Sequence, residues 1–223
     1  RTTRLVKEFG KVKIDEVTID QCIGGARDIR CLVTDISYLD PQEGIRFRGM
    51  TIPETFAALP KAPNSDYPTV ESFWYFLLTG EIPTAAQVTE VEAEFKVRQQ
   101  VPEYVFQTIR ALPRDSHPMV MLSVGILALQ KDSKFAGFYN SGKFNKMTAW
   151  EYVYEDASDL VARIPIIAAF IYNLKYRDDK QVAADAKLDL GANFAHMIGQ
   201  CEEYKDVARM YFILHSDHES GNV

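Results

Sequence analysis

Between Val12 and Ile19 the chain reads VKIDEVTI, with apolar residues near every second position, the period of a strand. CLVTDISYLD (31–40) and GIRFRGMTI (44–52) have the same character and flank Pro41-Gln42-Glu43-Gly44, a turn sequence. From Thr51 onward the period becomes helical. Thr51 and Glu54 stand at capping-box spacing, and Pro53 suits a first turn. VESFWYFLLTG (70–80) carries bulky residues on every face and closes on Gly80, which predicts a short, fully buried helix. Thr84 predicts an N-cap for AAQVTEVEAEFKVRQQ, and VPEYVFQTIRALP and HPMVMLSVGILALQ predict two more helices, the second opened by Pro118. MTAWEYVYEDASDLVARIPIIAAFIYNLKY (147–176) is one long helical pattern. Pro165 inside it removes a ladder hydrogen bond and predicts a kink. NFAHMIG and EEYKDVARMYFILHSD complete the set. The pattern predicts an all-α fold, mainly α-helical, with a small N-terminal β element: a strand/hairpin segment over 1–50 and one helical domain over 51–223. Residues 164–172 are apolar all round, so they must lie sandwiched in a thick core or a subunit interface.

Composition narrows the classes. Of 223 residues, 47% are hydrophobic and 25% charged, as in ordinary globular domains. The net charge of −6 argues against sequence-independent nucleic-acid binding, which needs a cationic face to displace counterions. The longest apolar run, IPIIAAFIY, is about half the ~20 residues a membrane span requires, so no span is expected. RTTRLVKEFG lacks the apolar core of a signal peptide and reads as the end of a processed or truncated chain. Cys22, Cys31 and Cys201 show no CxxC spacing, which predicts buried thiols in a reducing compartment rather than a disulfide frame.

The last ten residues, LHSDHESGNV, concentrate the candidate chemistry. His215 and His218 share a face if the helix persists, but a third metal ligand is missing and the zincin spacing is four. Ser216 has no Gly-x-Ser-x-Gly elbow around it. Two readings stay open on the residues alone. One is a capped helix end facing water, where a charged histidine gains about 0.3–1 kcal/mol from the helix dipole. The other is an anion subsite beside a Gly-Asn turn.

HSDHESGN closely resembles HSDHEGGN of the citrate synthases, in particular the mitochondrial type. YLDPQEGIRFRGMTIPE (38–54), FWYFLLTGEIPT (73–84), His117-Pro118-Met119, YEDASDLVARIP (154–165) and LDLGANFAHMIG (188–199) resemble further blocks of that family, in order and with spacing kept, from about residue 12 to the last. The resemblance implies a citrate-synthase-like large helical domain. It also implies condensation of acetyl-CoA with oxaloacetate to give citrate and CoA, the first step of the tricarboxylic acid cycle. No permanently bound cofactor is implied; acetyl-CoA is a co-substrate. His218 aligns with the family histidine that binds oxaloacetate and citrate. Asn222, on the same turn, is expected to touch the substrate or to brace the turn. Arg27 in GGARDIR falls where the family has an arginine on the CoA phosphates; a solvated surface arginine is the alternative. Lys146 falls where mitochondrial-type members carry another such arginine; lysine keeps the charge but loses the bidentate fork. Arg46 and Arg48 are expected to be structural ion-pair partners, His117 and His196 buried and hydrogen-bonded, and His215 structural. The resemblance further implies a mitochondrial matrix location and a homodimer formed through apolar helices around 152–176 and 201–216.

Two departures qualify the resemblance. Ser220 replaces a glycine of the substrate turn, which costs strain if that position needs a positive φ. The family's enolate-polarising histidine, second catalytic histidine, catalytic aspartate, carboxylate-clamping arginines and small domain are expected beyond Val223. No catalytic residue is therefore assigned within these 223 residues, and this chain alone is expected to be inactive. A truncated, non-catalytic paralogue with an assembly role and a 2-methylcitrate synthase are the alternative readings.

Overall fold

The computed structural model describes residues 2–25, 29, 33–40 and 42–218. The order is α1 (Thr2–Phe9), α2 (Ile19–Ile23), β1 (Ser37–Asp40), β2 (Gly44–Phe47), β3 (Met50–Thr51), α3 (Ile52–Ala58), α4 (Val70–Thr79), α5 (Ala85–Arg98), α6 (Glu103–Arg110) and α7 (Pro118–Ala128). A 3₁₀ turn (Leu129–Asp132), α8 (Lys134–Asn140), α9 (Ala149–Tyr176), α10 (Leu190–Met197) and α11 (Tyr204–Leu214) follow. The fold is thus mainly helical, with one small antiparallel sheet of order β1-β2-β3 and register Ser37↔Phe47 and Arg46↔Thr51.

Local chemistry sets most boundaries. Thr51/Glu54 and Thr84/Gln87 form reciprocal capping boxes on α3 and α5. Gly80 ends α4 in the left-handed region, φ 78°, returning its N–H to Phe76. His117 caps α7, its Nδ1 accepting from the Met119 N–H at 3.2 Å.

Of three apolar clusters among the described residues, two carry most of the packing. One joins α6, α7 and α9 through Val105, Ile109, Met121, Ile167, Phe170, Ile171 and Leu174. The other joins the sheet, α3, α4 and α11 through Phe47, Leu59, Phe73, Phe76, Leu77 and Ile213. Each such side chain, fully buried, contributes about 1.5–3 kcal/mol.

Several expectations need correction. Residues 12–18 form no strand; the apolar residues of this stretch lie exposed, and Thr18 and Gln21 form the capping box of α2. Local side-chain bonds outcompete a strand that has no partner edge. α4 is not fully buried: Trp74 and Tyr75 are half-buried and Leu78 is exposed, lining an open groove of ≈ 680 Å³ with Trp150, Val153 and Tyr154. α9 is one helix, as the pattern predicts, with Pro165 inside it. By length and composition it is apolar enough to cross a membrane, which counting unbroken runs missed. Half of that stretch is buried against neighbouring helices, as in the core helix of a globular domain. Cys22 and Cys201 are exposed free thiols, because they sit in the unpacked front segment and in the loop before α11; Cys31 lies outside the described residues.

Candidate substrate site at the end of the last helix

α11 delivers the HSDH turn, and its inner face, Ala208, Arg209 and Ile213, fixes where that turn falls. Arg209 is buried and paired. Its Nε and Nη2 donate to the Asp189 carboxylate at 3.2 and 2.6 Å, and Nη1 donates to Asp206 at 2.5 Å. Asp189 also caps α10 by accepting from the Ala192 N–H at 3.1 Å. Asp206 accepts from Ser65 Oγ at 2.6 Å. Gly191 permits this close approach: a Cβ there would stand 2.8 Å from Arg209 Cγ and 3.1 Å from its Cα.

Behind this pair lies Glu71, fully buried in the first turn of α4. Its Oε1 accepts from the Leu190 N–H at 2.7 Å, while Oε2 has no hydrogen-bond partner among the described residues. Burial, reinforced by the Asp189 charge, pushes its carboxyl up to about 8, which favours the neutral acid at pH 7.

Beyond Leu214 the helix stops, so His215 and His218 do not share a helical face. His215 is the C-cap residue: its N–H donates to the Tyr211 carbonyl at 3.1 Å and its ring stacks on Tyr211 at 4.2 Å. Ser216 Oγ donates to the Ile213 carbonyl at 2.7 Å. Asp217 Oδ2 accepts from Ser37 Oγ at 2.5 Å, across 180 residues of chain. His218 follows at once, exposed to solvent. The turn thus leaves the His218 imidazole exposed while the neighbouring Asp217 carboxylate is held on the sheet. An imidazole so placed can donate to, or in its charged form attract, a carboxylate.

The other expected residues scatter. Lys146 is exposed in the turn just before α9. Arg27, Asn222 and Ser220 lie outside the described residues. Arg46 pairs with Glu43 at 2.6 Å and donates to the Gly49 carbonyl. Arg48, at φ 50°, donates to the Leu77 carbonyl at 2.8 and 2.6 Å and to the Leu78 carbonyl at 3.0 Å, and pairs with Asp35 at 3.5 Å. It therefore brings a cation to the carbonyl end of α4 and ties the hairpin to that helix. His117 is hydrogen-bonded but exposed, because it caps a helix at the surface; His196 is half-buried in the last turn of α10. Among the described residues no three His, Cys, Asp or Glu side chains gather as metal ligands. The sequence reading missed Ser37–Asp217 and Glu71–Asp189–Arg209. An acid inside the apolar run VESFWYFLL was the available signal for the second; the first had none.

Fold and turn together define a class: a mainly helical domain that presents a histidine just past the end of a core helix. A family profile described as "Citrate synthase, C-terminal domain" matches residues 25–223. The mitochondrial citrate synthase of Saccharomyces cerevisiae is 45% identical over 218 residues, 97% of this chain and 45% of that protein. The probable mitochondrial citrate synthase of Leishmania major is 48% identical over 98% of this chain and 48% of its own length, and a peroxisomal citrate synthase of S. cerevisiae is 43% identical over 99% and 48%. Among solved structures, citrate synthase from Pyrobaculum aerophilum superposes with a TM-score of 0.74 at 25% identity, over 93% of this chain and 52% of that one. A Thermoplasma acidophilum citrate synthase, solved as a ternary complex with carboxymethyl coenzyme A and oxaloacetate, superposes with a TM-score of 0.70 at 20% identity over 93% and 49%, a likeness of fold. The chain belongs to the citrate synthase family. It spans about half the length of the relatives it matches.

Proposed function

We propose that this chain is part of a citrate synthase that condenses acetyl-CoA with oxaloacetate, and that His218 is its contact to oxaloacetate. The single observation that carries the reading is identity of 41–48% with named citrate synthases over nearly the whole chain. In this reading His218 hydrogen-bonds the dianion, and Asn222 adds a contact from the same turn. Arg27 and Lys146 meet the phosphates of CoA, Lys146 more weakly than an arginine would. The reaction abstracts a weakly acidic C–H proton, so it needs a base and aimed donors around a developing enolate. The reading assigns those groups to family positions that have no counterpart among these 223 residues. Residues 1–50 form the front segment and 51–223 part of the helical large domain. Two copies pair through the helices around 152–176 and 201–216, a pairing supported by exposed Val153, Tyr154, Val207, Tyr211 and Leu214. The location is the mitochondrial matrix, supported by the several relatives named mitochondrial.

The test is thiol release by the polypeptide of the complete reading frame, with oxaloacetate and either acetyl-CoA or propionyl-CoA. Release faster with acetyl-CoA is expected. Faster release with propionyl-CoA would make it a 2-methylcitrate synthase. A native protein of 25.3 kDa that releases no thiol from either would make it a non-catalytic relative.

A further inference from the structure

The exposed histidine is only as well aimed as the turn that carries it. The His215 N–H makes the last ladder bond of α11, to Tyr211, and residues 216–218 lie beyond it. Local contacts, a hydrogen bond and a ring stack from His215 to Tyr211, tie the start of the turn to α11. Ser216 bonds back to Ile213, which is local and leaves the turn free to swing with the helix end. Ser37–Asp217 is different in kind: it reaches another element, and its donor is 3% exposed on a strand. Ser37 pairs in register with Phe47, a fully buried residue of the cluster that also holds Ile213. Donor and acceptor are therefore carried by pieces of one rigid core. A hydroxyl donating to an ionised carboxylate at this length is a charge-assisted hydrogen bond, shorter and stronger than a neutral one.

The bond also settles where a negative charge sits. A carboxylate one residue from His218 would repel a dianionic ligand if it were free to turn toward it. Bonded to Ser37, it faces the sheet.

We propose that Asp217 is a positioning residue: held by Ser37, it fixes the direction in which His218 meets its anionic ligand and keeps its own charge off that ligand. This rests on the reading of His218 as the oxaloacetate contact, and the test separates the two. The polypeptide of the complete reading frame is titrated calorimetrically with oxaloacetate and, separately, with CoA. Ser37→Ala and Asp217→Ala each remove one half of the bond, and each should weaken oxaloacetate binding about tenfold, the loss of one hydrogen bond worth about 1.4 kcal/mol. CoA affinity should stay within twofold. Asp217→Asn keeps an acceptor for Ser37 and should stay within threefold of the parent for oxaloacetate. A merely structural role predicts parallel losses for both ligands together with a lowered Tm. Equal losses for Asp217→Asn and Asp217→Ala, or parallel losses for both ligands, overturn the proposal. Asp217 is only half-buried, so its two variants decide the matter even where Ser37→Ala fails to fold. His218→Ala is the control: unchanged oxaloacetate affinity there refutes the substrate reading itself. A loss there with none in Asp217→Ala refutes the tether alone.

Discussion

Replacing Glu71 by glutamine tests whether the junction under α11 holds a neutral acid. An isolated glutamate has a value of 4.5, and burial together with Asp189 raises this one to about 8. Each unit is about 1.36 kcal/mol, so the full shift is a penalty of about 5 kcal/mol against the native state at high pH. The sign follows from proton counting. Below pH 4.5 both folded and unfolded chains hold the proton, and no penalty exists. Between about 4.5 and 8 the unfolded chain releases it while the folded chain keeps it, so unfolding becomes easier by about 1.4 kcal/mol per unit. Above 8 both are ionised and the dependence levels off. A glutamine side chain has nearly the same shape, does not titrate, and keeps an oxygen for the Leu190 N–H. Its amide N–H₂ takes the place of the unpartnered Oε2, an offset of about 1–3 kcal/mol that does not change with pH. Asp189, Glu92 and Arg209 surround both side chains equally and cancel in the difference. Urea denaturation followed by circular dichroism from pH 4.5 to 9 should therefore show Glu71→Gln gaining on the parent by about 3 kcal/mol between pH 4.5 and 7. The gain should flatten above 8. A difference independent of pH between 5 and 8 would mean that Glu71 is already ionised in the fold, and the account of its orphaned oxygen would be wrong.

Three further outcomes follow from the packing. Asp189→Asn leaves the buried guanidinium of Arg209 with Asp206 as its remaining carboxylate and should cost about 1–3 kcal/mol in chemical denaturation; it should also lower the pH at which Glu71 ionises, moving the break in the stability profile below 8. Gly125→Val should cost about 1–3 kcal/mol, because even a Cβ there stands 3.0 Å from Ile109 Cδ1 and 3.1 Å from Ile167 Cγ2; a neutral change in Tm would show that α7 can shift away from α9. Gly80→Ala should cost about 1 kcal/mol, since the residue sits at φ 78° and a methyl group would gain only an ordinary contact with Arg48 at 3.8 Å, as thermal unfolding would register.

What could be read from the chain divides by the range of the interaction. Capping chemistry is local, so Thr51, Thr84, Pro118 and Gly80 announced α3, α5, α7 and the end of α4 within a residue or two. The apolar stretch 164–172 announced its own burial. α8 was missed because KFAGFYN has a mid-helix glycine and no apolar period; it is anchored from a distance, Asp156 of α9 accepting from Ser133 Oγ at 2.5 Å and from the Lys134 N–H at 2.8 Å. The false strand at 12–18 fails for the converse reason: alternation alone supplies no partner edge. At the site, the family motif marked His218, but nothing within ten residues of it reveals Ser37 or Arg48. Both act across the fold.

That long reach has a consequence for how the site is held. Phe47 meets Phe73 edge-on at 4.9 Å, so the hairpin is locked to α4 by an aromatic contact. Arg48 then occupies the carbonyl end of the same helix, and Ser37 holds the turn that follows α11. α4 also touches α11 directly through Ile213. Hairpin, α4 and α11 therefore form a closed loop of contacts, in which displacing any one strains the other two. A histidine on a loose helix end would spend binding energy on being ordered. In this loop the cost is met on folding, by burial of Phe47, Phe73 and Ile213, before any ligand arrives. It follows that substitutions in the hairpin, far from His218 in sequence, should act on ligand affinity more than substitutions in α6 or α7, which lie nearer in sequence but pack into the other cluster.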